Sequence, residues 1–188
     1  MKRNNFFRLI ITFLFTCYIM TSAFAQQEAS TQISYKVDFG PVYPIEGESN
    51  QIDGKIAFND ENNGIEKISF DVPLNSFTGI NSGYLEWIGN SWYNPDMTFK
   101  SKQITVSDDN KLNVKGVLEF RRRYAPIEID LTRKDTNNTI ILEGNFDMNP
   151  SDYFTFHLPV ELVPNRISFK IKLVFDDPAK TASQKQNS

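Results

Sequence analysis

Ile167-Ser168-Phe169-Lys170-Ile171-Lys172-Leu173-Val174-Phe175 alternates apolar with polar side chains up to Val174. Successive side chains of an extended chain point to opposite faces, so this stretch reads as a strand with one apolar and one wet face. The same period of two recurs upstream. Ile33, Tyr35, Val37 and Phe39 share a face in a first strand, and Ile52, Gly54, Ile56 and Phe58 in a second. Ile68, Phe70 and Val72 mark a third; Met97, Phe99 and Ser101 mark a fourth, whose phase slips by one to Ile104 and Val106. That slip predicts a bulge near Lys102. Leu112 to Phe120, Ile127 to Leu131 and Ile140 to Met148 supply three more strands, making eight with the last.

The connections Asp60–Gly64, Ser107–Asn110 and Asp135–Asn138 are turns, far shorter than the dozen residues that a parallel crossover needs. The pattern therefore predicts an all-β fold, an eight-stranded antiparallel barrel, with a two-sheet sandwich as the alternative. Asn81 to Asn94 does not alternate. There Tyr84, Leu85, Ile88 and Trp92 have the spacing of a short amphipathic helix, inserted between strands three and four and able to lid a barrel mouth. Asn149 to Asp152 is a second break between strands, and no internal repeat is visible.

The N-terminus places Lys2, Arg3 and Arg8 ahead of an apolar run from Leu9 to Met20, then Ala23-Phe24-Ala25. This is the layout of a secretory signal peptide over residues 1–25, with cleavage before Gln26. The apolar core is shorter than the ~20 residues of a membrane-spanning helix. A barrel domain over 26–177 and a disordered tail over 178–188 complete the expected organisation. Cleavage removes three cations and no acids, so the formal charge of −3 becomes −6. An acidic chain lacks the basic footprint that nucleic acid requires and that a generic anionic membrane surface attracts, so its net charge makes both poor partners. The one cysteine, Cys17, lies inside the signal, and Phe15 and Thr16 before it make a poor lipidation site. The mature chain is thus expected to be a periplasmic or secreted protein without a disulfide or transmembrane segment.

Side chains capable of covalent chemistry are scarce. His157 is the single histidine, and a lone histidine is weak ground for acid–base catalysis. No serine stands in a Gly-x-Ser-x-Gly elbow. Asp60-Glu61, Asp108-Asp109 and Asp176-Asp177 lie in turns, where solvated acids are ordinary, and Asp60–Gly64 lacks the order of a calcium loop. No catalytic residue, metal or catalytic cofactor is expected. Arg121-Arg122-Arg123 is the dense cationic feature, either a solvated turn or a partner for a phosphate head group.

The apolar face itself is the candidate site. Tyr35, Phe39, Phe70, Trp92, Phe99, Phe120, Phe146 and Phe169 would wall an apolar lumen suited to a hydrocarbon chain. Gly54, Gly116 and Gly144 fall on the same inward phase, and each either permits a sharp bend or leaves volume for a ligand. An open lumen would suit a carrier. A filled one would suit a structural or interaction barrel.

Several motifs resemble those of one family. Ile52-Asp53-Gly54-Lys55-Ile56-Ala57-Phe58, Val72-Pro73-Leu74-Asn75-Ser76-Phe77-Thr78-Gly79, Trp92-Tyr93-Asn94-Pro95-Asp96-Met97-Thr98-Phe99-Lys100-Ser101 and Val114-Lys115-Gly116-Val117-Leu118 follow in order along the chain. Together they resemble the YceI-like proteins, lipocalin-like barrels of the bacterial periplasm associated with polyisoprenoid binding. The resemblance implies a non-enzymatic carrier whose lumen holds an apolar lipid, such as an isoprenoid quinone or a polyprenyl lipid. The chain departs from the family pattern at Asn81–Leu85, where the mouth of the pocket is expected to differ, and at Arg121–Tyr124 and Asp147–Tyr153.

Overall fold

The computed structural model describes residues 30–38, 43–59, 64–107, 110–136, 138–154, 164 and 166–177. The expected signal peptide, Phe39, His157 and the tail lie outside them. Among the described residues, nine strands and one helix follow in order: β1 Gln32–Asp38, β2 Pro44–Ser49, β3 Asp53–Phe58, β4 Ile65–Pro73, α1 Gly83–Gly89, β5 Asp96–Val106, β6 Lys111–Phe120, β7 Arg123–Asp135, β8 Thr139–Met148 and β9 Ile167–Asp176. Short 3-10 turns at Leu74–Ser76 and Pro150–Tyr153 flank the insertions. One continuous sheet contains every strand, in the order β2-β1-β9-β8-β7-β6-β5-β4-β3. Each neighbouring pair is antiparallel.

The expected all-β class and the helix between β4 and β5 are as read from the sequence; a ninth strand, β2, is not. Its inward phase carries Ile45, Gly47 and Ser49. A small and a polar residue on that face erase the apolar alternation that marks the other strands. β2 and β3 are the two edges of the sheet yet are consecutive in sequence, separated only by Asn50, Gln51 and Ile52. Four peptide steps reach at most about 14 Å, so the edges must come together and the sheet must roll up. Following the antiparallel pairings round the sheet, β2 and β3 run the same way. They are two halves of one bent strand, the first paired with β1 and the second with β4. Across this seam a Cβ built on Gly54 of β3 would lie 3.0 Å from Leu173 Cδ2 of β9. The result is a rolled barrel whose seam is closed by chain and side chains rather than by a hydrogen-bond ladder.

The expected bulge is present: the β5–β6 register shifts between Ser101 and Gln103, leaving Lys102 as the extra residue. On the other side of β5, Ser101 Oγ accepts the Ile68 N–H at 2.9 Å. The free edge of β2 is blunted by the segment after the first 3-10 turn. Glu48 and Thr78 exchange backbone hydrogen bonds at 2.9 Å, and the Glu46 N–H donates to Ile80 O at 3.0 Å. Gly79 makes this possible. Its φ is +141°, and an added Cβ would lie 2.7 Å from Glu46 O. Covering an edge in this way prevents its pairing with another chain.

Candidate functional site: the barrel interior and its helical cap

Inward positions of the strands form one core, running from Ile33 and Val37 on β1 through Val72, Met97, Leu118, Ile129, Leu142 and Ile167. Tyrosine apart, Ser49 is the one buried polar or charged side chain among the described residues. Aromatic rings occupy the middle of this core because directly opposed positions of neighbouring strands both carry phenylalanine. Phe70 on β4 faces Phe99 on β5, with ring centroids 5.2 Å apart and planes 23° apart. Phe146 on β8 faces Phe169 on β9, stacked at 4.7 Å and 6°. The two pairs stand on different parts of the wall, yet Phe70 and Phe146 are 6.2 Å apart, so the rings meet across the interior. Tyr35 joins them from β1, 6.0 Å from Phe169 and edge-on to Phe77 at 5.2 Å.

The inward glycines are occupied positions. Over Gly116, two ring carbons of Phe99 and the Lys100 carbonyl oxygen lie 2.5–2.6 Å from where a Cβ would be. At Gly144 the same position coincides with the Asp130 carbonyl oxygen of β7, so the glycine permits a close approach of two strands. Gly54 faces Leu173 and Phe175. Of the two meanings open to these glycines, a bend or room for a ligand, the second is not what this structure shows: neighbouring side chains or backbone take the space beside all three. Trp92, expected among the lining residues, instead points outward and is 88% exposed. Its spacing suits a helix, but α1 ends at Gly89, and Asn90 turns the chain away with a left-handed φ of 53°. Phe120 is fully buried and packs edge-on against Tyr153 at 5.5 Å. Tyr153 comes from the second break between strands, a 3-10 turn started by Asn149, whose side chain accepts the Ser151 N–H.

The helix α1 lies across one end of the barrel. Its apolar stripe, Leu85, Ile88 and Gly89, is buried, and a Cβ on Gly89 would collide with Leu74 and press on Phe120. On the far side, Tyr35 Oη donates to Ser82 O at 2.7 Å. Burial pushes the Tyr35 hydroxyl up to about 12, with a smaller opposing effect from a backbone hydrogen bond at Leu85. Tyr35 therefore remains a neutral donor at physiological pH. Burial also raises Tyr84, the neighbouring Tyr35 adding to the effect, and burial followed by Asp152 raises Tyr153.

Arg121 fixes the cap from the β6–β7 turn. Its Nη1 donates to Ile88 O at 2.5 Å, and its guanidinium lies 4.3 Å over the Phe154 ring. A cation there also meets the negative end of the helix. Arg122 Nη2 reaches Tyr93 O at 3.1 Å. Both arginines sit in the left-handed region, at φ 56° and 57°, in a two-residue hairpin turn that usually takes glycine or asparagine. Their side-chain contacts offset the conformational cost. In sequence this turn reads as solvated or as a phosphate site; two of its three arginines are instead engaged by the cap. Nothing in the local sequence gives that away, because the partners are Ile88, Tyr93 and Phe154, all distant along the chain.

No group of His, Cys, Asp or Glu among the described residues could hold a metal ion, and no described helix is long and apolar enough to cross a membrane. A groove of about 640 Å³ does lie on the outer wall, along Ser34, Lys36, Glu46, Glu48, Asp147 and Lys170. Its mixed charges select no obvious ligand.

An antiparallel rolled barrel with an apolar aromatic interior and a helical cap defines a lipocalin-like protein. The chain belongs to the YceI-like family, whose domain model matches residues 24–175. BcnA of Burkholderia cenocepacia has the same fold, with a TM-score of 0.64 and 17% identity over 77% of this chain and 95% of its own. The Campylobacter jejuni YceI protein is similar, at TM-score 0.61 and 17% identity over 76% and 90% of the two chains. A mutant of that protein has been solved with a monobromobimane guest, at TM-score 0.62 and 18% identity, covering 76% and 90%. Comparison with curated protein sequences gives no significant match.

Proposed function

We propose that this protein is a non-enzymatic carrier which takes an isoprenoid or similar lipid chain into the barrel beneath α1. The observation that carries this reading is the chemistry of the interior: aromatic and aliphatic side chains throughout, with Ser49 and the hydroxyls of Tyr35 and Tyr153 the buried polar groups described, and the Tyr35 hydroxyl already committed to Ser82 O. Such a surface has little to offer a polar ligand. Family membership supports the same ligand class. Tyr35, Phe70, Phe99, Phe146 and Phe169 would contact the chain, and Phe120 would line the space under the cap. Because the rings now meet one another, a ligand would replace ring–ring contacts rather than fill a standing void. Residues 1–25 would direct the protein to the periplasm and be removed there.

The test is native mass spectrometry, with organic extraction, of mature protein purified from a bacterial periplasm. A discrete hydrophobic molecule at near-stoichiometric amount is the expected result. An empty protein that also fails to take up ubiquinone, menaquinone and polyprenyl phosphate would refute the carrier reading. The ring packing over Gly116 favours one other reading, a filled barrel that serves as an interaction scaffold. That reading predicts the empty protein.

A further inference from the structure

We infer that the capped end of the barrel is a docking surface for an anionic phospholipid bilayer. Most of the large apolar side chains exposed among the described residues gather there. Tyr43, Ile80, Trp87, Trp92 and Tyr93 are all exposed, Trp87 at 61% and Trp92 at 88%. Hydrogen bonds and a ring contact tie their segments together. Asn81 beside Ile80 donates to Pro44 O, next to Tyr43, at 2.9 Å. Tyr84 then links to Trp87 at 6.0 Å between ring centroids, and Arg122 holds Tyr93 O. Both tryptophans of the protein are in this group.

Residue type and charge select a bilayer as the partner. Tryptophan and tyrosine have an apolar body and a polar tip, and they settle at the level of lipid headgroups. Exposed Arg122 and Arg123 stand at the same end, in the densest cationic cluster of an otherwise acidic chain, with exposed Glu86 of α1 and Asp96 as the acids nearest Trp87, Trp92 and Tyr93 in sequence. Aromatic anchors beside cations match an interface of apolar tails beneath anionic phosphates. The exposed apolar residues project from turns and a short helix at the barrel's end, not from its strands. The inference goes beyond the ligand reading and stands without it, because it concerns the outer surface of the cap.

The experiment uses the mature protein and vesicles of phosphatidylethanolamine and phosphatidylglycerol in a 3:1 ratio, chosen as about a quarter anionic lipid. Co-flotation is expected, with a blue shift of tryptophan emission. Trp92→Ala should weaken partitioning about tenfold through lost apolar burial. Arg123→Glu should weaken it at least about fivefold, and that loss should vanish on vesicles without phosphatidylglycerol. Val106→Ala, at an exposed residue of the opposite end, should change nothing. Absence of flotation would overturn the inference and leave this face to a protein partner; so would flotation indifferent to Trp92→Ala and Arg123→Glu. Vesicle binding without ligand uptake would refute the carrier reading alone, and uptake from detergent without vesicle binding would refute this one alone.

Discussion

Replacing Gly116 by alanine tests whether the interior is packed or open. The new Cβ would lie 2.5 Å from Lys100 O and within 2.6 Å of two Phe99 ring carbons, where ordinary contact begins near 3.4 Å. The carbonyl belongs to β5 beside its bulge, so backbone as well as ring must move. Overpacking of this kind costs about 1–3 kcal/mol. Displacing Phe99 from its stack on Phe70 removes a further ~0.5–1.5 kcal/mol. Against this, alanine lowers the entropy of the unfolded chain, worth ~0.4–1 kcal/mol. The net expectation is a loss of about 2 kcal/mol, equivalent to a Tm lower by roughly 4–8 °C for a domain of this size. Urea unfolding followed by near-ultraviolet circular dichroism reads it directly, since the aromatic signal reports the ring layer. Phe99→Leu should relieve part of the clash, giving a favourable coupling of about 1 kcal/mol in a double-mutant cycle. A Gly116→Ala protein as stable as the parent would refute the reasoning and place open volume over residue 116.

Arg121→Ala should loosen α1, losing a charged hydrogen bond of ~1.5–3 kcal/mol and a cation–π contact of ~0.5–1 kcal/mol; hydrogen exchange of residues 83–89 should quicken at least tenfold, with the strands unaffected. Gly79→Ala should free the edge of β2, because its φ of +141° and the nearby Glu46 carbonyl both oppose a side chain; selective exchange at Glu46 and Glu48 and a higher tendency to self-associate would show it. Tyr35 is neutral when buried and has a folded value of about 12 against 10.0 for the exposed group. Its contribution is therefore fully present below pH 10 and is lost as pH rises from 10 towards 12; unfolding measured across that window should show falling stability, with a shallower fall in Tyr35→Phe.

The wall of this protein is legible in its sequence, and the cap is not. Period-two alternation is a local property, so strands such as β6, β8 and β9 declare themselves residue by residue, and even the bulge at Lys102 shows as a slip of phase. β2 escapes because Gly47 and Ser49 occupy its inward face, where Tyr35 and Phe77 supply the bulk from neighbouring elements. Among the proposed lining residues, Tyr35, Phe70, Phe99, Phe120, Phe146 and Phe169 all lie inside, since their strands fix their facing. Trp92 does not, because helix spacing cannot be extended past the left-handed turn at Asn90. Arg121 gives no sign of its role. Its partners come from separate parts of the chain, and such contacts carry no periodic signature.

The energetics of filling this interior also narrow the ligand class. Lifting the cap forfeits the Arg121 contacts, about 2–4 kcal/mol, and parting the rings costs about 1 kcal/mol for each pair separated. Association itself costs at least ~4 kcal/mol. One five-carbon isoprene unit moved from water gains about 4 kcal/mol, so a single unit cannot open the barrel and a chain of several can. A lipid already dissolved in a bilayer gains far less, because its tail leaves one apolar medium for another. Uptake from a membrane is then near balance, and what limits it is the passage of the tail through water. On the docking proposed above, a barrel with Trp87 on its lid, Trp92 just after it and Arg122 and Arg123 in the adjoining β6–β7 turn would remove that passage, since the end that would open is the end that would touch the bilayer.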